Sequence, residues 1–127
     1  MKNPAVWFSI QVDDMPRARA FYERVFGVQL TRLENTDNEM WAFPGDMHAY
    51  GASGALTRTP GVRGGGNSTV VYFSCEDCAV EAERAAAAGG RVVQAKTSIG
   101  QYGAMALVCD TEGNLIVLHS MDQAQKR

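Results

Sequence analysis

Few residues in this 127-residue chain have side chains suited to chemistry: His48 and His119, Cys75, Cys78 and Cys109, the acid pairs Asp13-Asp14 and Glu76-Asp77, and the hydroxyls Ser9 and Ser74. An imidazole titrates near neutrality, so His119 is the candidate general base. A lone histidine at the end of a final strand is more often a satisfied rim residue, and His48, just after Pro44-Gly45-Asp46, reads as exposed loop. Cys75-x-x-Cys78 has the spacing of a redox pair or half a zinc site, but a structural zinc takes four ligands and there is no second such pair. Two small semi-buried residues are the plainer reading, and the odd cysteine count argues against a disulfide framework. The acid pairs stand at helix starts, where carboxylates cap free N–H groups, so capping is preferred over acid/base work. The sequence shows no base beside Ser9 or Ser74, so no Ser-His-Asp triad can be argued from it, and Gly64-Gly65-Gly66 precedes a strand rather than the helix that a phosphate loop needs.

The elements that carry these residues occur twice. Trp7-Phe8-Ser9-Ile10-Gln11-Val12-Asp13-Asp14 and Val70-Val71-Tyr72-Phe73-Ser74-Cys75-Glu76-Asp77 open the same strand, acidic turn, helix, glycine, strand order, and in that register Gly27 falls opposite Gly90 without a gap. Phe8, Ile10 and Val12 alternate with Trp7, Ser9 and Gln11, giving a strand with one core face and one more polar face. Ala18, Phe21, Tyr22 and Val25 recur at helical spacing before Gly27. Strands are expected over 28–33 and 40–43, and 48–56 supplies a fourth strand or the loop feeding it. Thr59 to Asn67, rich in Gly and Pro, reads as a linker. The second copy repeats the plan: a strand over 70–75, a helix over 79–88 with an alanine stripe (Ala79, Ala82, Ala85, Ala86), then strands over 91–95, 104–109 and 115–120.

The expected fold class is therefore α+β, two tandem βαβββ modules whose mixed sheets curl around a shared crevice. A single domain over 1–127 is expected, with module 1 at about 5–57, a linker at about 58–68, module 2 at about 69–121 and a polar tail over 122–127. Alternation assigns the crevice lining to Trp7, Ser9, Gln11, Val70, Tyr72 and Ser74. Trp41 and Met105, on the third strand of each copy, supply apolar wall opposite the helix-facing residues or nearly so. Trp7 could stack on a flat ligand or plug the hollow, and the Tyr72 hydroxyl could donate to a ligand carbonyl.

Twelve basic against fourteen acidic residues, a net charge of -2, create no field for a polyanion, so nucleic acid is not an expected partner. Apolar runs are strand-length and the first residues lack the core of a secretion signal; no membrane partner is expected, and the location expected is cytoplasmic.

Phe8 through Phe26, followed by Gly27, closely resembles the opening of the vicinal oxygen chelate superfamily, and Gly89-Gly90-Arg91-Val92-Val93 and Asp110-Thr111-Glu112-Gly113-Asn114 are similar to its second half. That superfamily includes glyoxalase I, extradiol dioxygenases, and fosfomycin and bleomycin resistance proteins. In its metal enzymes a divalent ion held by His, Gln or Glu acts as a Lewis acid on two neighbouring substrate oxygens. The positions that the resemblance assigns to those donors are Trp7, Val70, Val117 and one within 51–56, and none offers a strong ligand. His119, two residues beyond Val117, shares its face but cannot hold a catalytic ion alone. The resemblance implies a binder of a small aromatic or hydrophobic molecule, with no cofactor and no metal, at Trp7, Ser9, Gln11, Trp41, Tyr72, Ser74, Met105, Val117 and His119. Its alternatives are a divalent-metal lyase or isomerase similar to lactoylglutathione lyase and a ligand-free scaffold. Superfamily members commonly pair, so a homodimer is implied.

Overall fold

The computed structural model describes residues 3–46, 48–66, 68–111 and 113–121. The elements run β1 (Ala5–Gln11), α1 (Met15–Phe26), β2 (Thr31–Arg32), β3 (Glu39–Ala42), β4 (Ser53–Arg58), then β5 (Thr69–Ser74), α2 (Cys78–Ala87), β6 (Arg91–Ser98), a 3-10 turn (Gly100–Tyr102), β7 (Ala104–Cys109) and β8 (Leu115–Ser120). The chain is thus α+β, with βαβββ written twice. It divides into two compact units, Trp7–Val70 in one, and Val71 onward together with the residues up to Val6 in the other.

In the Trp7–Val70 unit the strand order is β2-β3-β4-β1, with β1 parallel to β4 and β3 antiparallel to both neighbours. Asp14 starts α1: its extended backbone (φ -133°) turns the carboxylate onto the Arg17 N–H at 3.0 Å, and Pro16 occupies the first turn. Gly27 ends it in the left-handed region, donating to the Glu23 carbonyl. Met15 is buried with Val12, Leu30 and Leu56, and Ala18 and Tyr22 pack on that cluster. Each such buried aliphatic side chain contributes about 2 kcal/mol.

The buried line of α1 is therefore Met15, Ala18, Tyr22 rather than the expected stripe, and Phe21 and Val25 are 59% and 56% exposed. Arg19 and Glu23 take the other flank: Glu23 accepts from the Leu30 N–H at 2.9 Å, the Arg19 guanidinium lies over the Trp41 ring, and these two contacts with residues outside α1 set its rotation so that Phe21 faces outward. Residues 59–66 are tied down rather than loose, because the Gly64 N–H donates to the Asp13 carboxylate at 2.9 Å.

In the other unit the order is β5-β8-β7-β6, with β5 parallel to β8 and β7 antiparallel to both neighbours. Asp77 caps α2 through the Ala79 N–H at 3.1 Å, and the buried Ser120 hydroxyl accepts from the Cys78 N–H at 3.0 Å. Cys78, Ala82, Ala104, Ala106, Val108 and Leu118 form the core, with Phe73, Cys75 and Ala85 packed against it. Cys78 takes the place expected of Ala79, and Ala86 is exposed, because the small thiol at the first helical position sits directly over the sheet. β6 runs three residues longer than expected, with register shifts after Val92 and Gln94. No helix among the described residues is long and apolar enough to cross a membrane.

Candidate functional site

Strand pairing decides which side chains share a face. Phe73, Ala106, Ile116 and Leu118 belong to the cluster under α2, so their alternating neighbours face the other way. Register sets Tyr72 beside Val117 and Val117 beside Leu107 in one row, and Ser74 beside His119 and His119 beside Met105 in the next. Tyr72, Ser74, Met105, Val117 and His119 are thereby brought to one face. Val117 is only 2% exposed there.

His119 is half-buried, with Nε2 2.6 Å from the Tyr102 carbonyl oxygen. A carbonyl only accepts, so Nε2 carries the proton and Nδ1 is left as the basic nitrogen of the neutral ring. Gly103 makes the approach possible. At its φ of +105° a Cβ would stand 2.4 Å from the Ser120 carbonyl oxygen and 3.2 Å from His119 Nε2.

A polar cavity of about 570 Å³ lies at this end of the strands, lined by Ser74, Cys75, Glu76, Glu81, His119 and Ser120 among others. Burial, helped by the neighbouring Glu81 carboxylate, pushes the Cys75 thiol up to about 11. Cys75 is protonated at neutral pH and is no nucleophile. Both Cys75 and Cys78 are free thiols.

Within Trp7–Val70, the Ser9 and Thr57 hydroxyls bond each other at 2.8 Å, at 3% and 4% exposure. Gln11 Oε1 is shielded and has no hydrogen-bond partner among the described residues. Trp7 is half-buried beside Ser53. Trp41 does not share their face. It pairs with Leu56, a residue of the cluster under α1, and the Arg19 guanidinium lies 3.6 Å from the centre of its ring while its indole N–H donates to Glu39 at 2.9 Å. Alternation within β3 misplaced it because the neighbour across the pair, not the adjacent residue, sets the face.

A groove of about 570 Å³, not expected from the sequence, is walled by Phe8, Tyr22, Phe26 and Phe43 and bordered by residues 44–46 and 49–52 and the start of β4. Tyr22 meets Phe43 edge-on at 5.6 Å, Tyr22 and Phe26 are stacked at 6.2 Å, and Phe8 is 5.7 Å from Phe43. Gly54 gives the Phe8 ring its place, since a Cβ there would lie 2.5 Å from three ring atoms. A legible signal existed: small residues Gly51-Ala52-Ser53-Gly54 follow an aromatic helix, and small residues opposite rings leave space.

Each unit is one helix laid on a four-stranded mixed sheet, and the pair of them is one βαβββ plan used twice. Residues 5–118 match the model of the Glyoxalase/Bleomycin resistance protein/Dioxygenase superfamily, and the chain belongs to that superfamily. It is 30% identical over 110 residues to "Putative glyoxylase CFP32" of Mycobacterium bovis and of Mycobacterium tuberculosis, a match over 85% of this chain and 40% of that protein. The chain thus spans about two fifths of the length of the curated relatives it matches. Among solved structures it resembles methylmalonyl-CoA epimerase from Mycobacterium tuberculosis (TM-score 0.66, 13% identity, 97% of this chain and 91% of the other). It also resembles hypothetical protein BH1468 from Bacillus halodurans (TM-score 0.68, 8% identity, 97% of each). At these identities the likeness is one of fold.

The positions that the family resemblance assigns to metal donors hold an indole at Trp7 and isopropyl groups at Val70 and Val117, and neither side chain ligates a hard divalent ion. Among the described residues no group of three or more His, Cys, Asp or Glu is placed to hold one. This donor set does not fit the family's ion.

Proposed function

We propose that this chain binds a small organic molecule with an aromatic or hydrophobic part and uses no resident metal ion to do so. The observation that carries the reading is the groove beside α1, where Phe8, Tyr22, Phe26 and Phe43 surround about 570 Å³. That volume lies in the range of about 300–1,000 Å³ typical of small-ligand sites. Rings set at different angles offer both faces and edges, so a flat guest gains stacking and edge contacts as well as burial. The metal-free half of the proposal is supported by the donor-poor residues at Trp7, Val70 and Val117.

Fragment binding followed by NMR chemical shifts tests it. Single-ring and two-ring aromatic fragments should perturb the groove, and Phe26→Ala, which removes a wall ring that is 62% exposed and so carries little of the core, should weaken them about fivefold. Elemental analysis of the purified protein should find no stoichiometric divalent ion. Perturbations confined to the Tyr72 and His119 face would move the site, and one bound ion per chain would restore a metal-dependent lyase or isomerase.

A further inference from the structure

We infer that the groove selects a positively charged organic ligand, an ammonium carrying an apolar or aryl group, over a neutral molecule of the same shape; the inference rests on the groove being the binding site. Aromatic faces are electron-rich, and a cation placed against several of them is held by charge–quadrupole attraction in addition to the burial and ring contacts that a neutral guest also gains. The stacked Tyr22 and Phe26 rings, inclined by 14°, and the Phe43 ring, turned 83° from Tyr22, line one space in two different orientations. Among the described residues no cation of the chain lies over these four rings, whereas Trp41, outside the groove, already has Arg19 against it.

Charge complementarity points the same way. Of the residues lining the groove, Asp46 alone carries a formal charge at neutral pH, and no Lys, Arg or His is among them. Asp46 is anchored locally: its Oδ1 accepts from the His48 N–H at 2.8 Å, and its backbone carbonyl accepts from the Ala49 N–H at 2.9 Å. An anion among the lining residues, beside aromatic rings, matches a cation with an apolar body.

Phenyltrimethylammonium and tert-butylbenzene, nearly equal in shape and different in charge, are the probes. Titrated into the whole chain at low ionic strength, the cation should bind about 5- to 20-fold more tightly than the neutral probe. Asp46→Asn keeps an oxygen for the His48 N–H and should cut that ratio about threefold, while Asp37→Asn, an exposed carboxylate outside the groove, should leave it unchanged. Equal affinity for the two probes overturns the inference and leaves the groove standing as an apolar site. Binding of neither probe at the groove overturns both.

Discussion

The Nε2 of His119 sits 2.6 Å from the carbonyl oxygen of Tyr102, and the next residue, Gly103, has a backbone conformation that puts the space for a side chain against Ser120 and His119. Gly103→Ala should therefore cost about 2–4 kcal/mol, combining a left-handed φ with a main-chain clash. Urea unfolding measures it. A loss under about 0.5 kcal/mol would mean that the 100–103 turn relaxes without consequence.

Ser9 and Thr57 satisfy each other out of contact with water. Thr57→Val keeps the volume and orphans the Ser9 hydroxyl, so it should destabilise by about 1–3 kcal/mol. The double change Ser9→Ala with Thr57→Val should recover much of that loss, because both polar groups leave together. A double-mutant cycle by chemical denaturation reads the coupling, and strict additivity would contradict it.

Acid should loosen the 59–66 segment. The Gly64 N–H is the first cause holding the Asp13 carboxyl below its ordinary value; burial opposes it, and Arg63 and Arg17 add to it. A depressed carboxyl stabilises the fold above its unfolded value of 3.8, and that contribution disappears as pH falls through the lower folded value. Asp13→Asn should melt below wild type at pH 6, with the gap closing as the pH drops under about 4. Thermal melts across pH 2.5–6 would show a constant gap if Asp13 made no difference.

Cys75 should be slow to alkylate. With its thiol raised from 9.0 to about 11, its thiolate fraction at pH 8 is about a hundredfold below that of an ordinary cysteine, and iodoacetamide labelling read by peptide mass spectrometry should follow. The same raised value stabilises the fold below about pH 9, and the benefit is lost as pH climbs through about 11. Cys75→Ser should flatten that alkaline decline. Labelling of Cys75 at the rate of free cysteine would contradict its protected state.

Neighbouring residues were enough to read the duplicated βαβββ plan, because alternation, Asp caps and the Gly27 stop are local and repeat at a fixed offset. The same locality identified Asp14 and Asp77 as caps and put Tyr72, Ser74 and Met105 on the face away from α2, while the family resemblance assigned Val117 and, two residues on, His119. Trp41 and Phe21 escaped it. Leu56, fifteen residues away on the paired strand, turns Trp41 toward α1, and the Glu23 contact with Leu30 rotates Phe21 outward. The groove escaped for the same reason: Phe8 and Tyr22 read as ordinary core, Phe26 and Phe43 had no side-chain role assigned, and the space among the four exists because Gly54 brings β4 against Phe8 with no side chain between. Spacing along a chain encodes periodicity, but empty volume depends on which distant backbones meet, and that is a property of the folded packing.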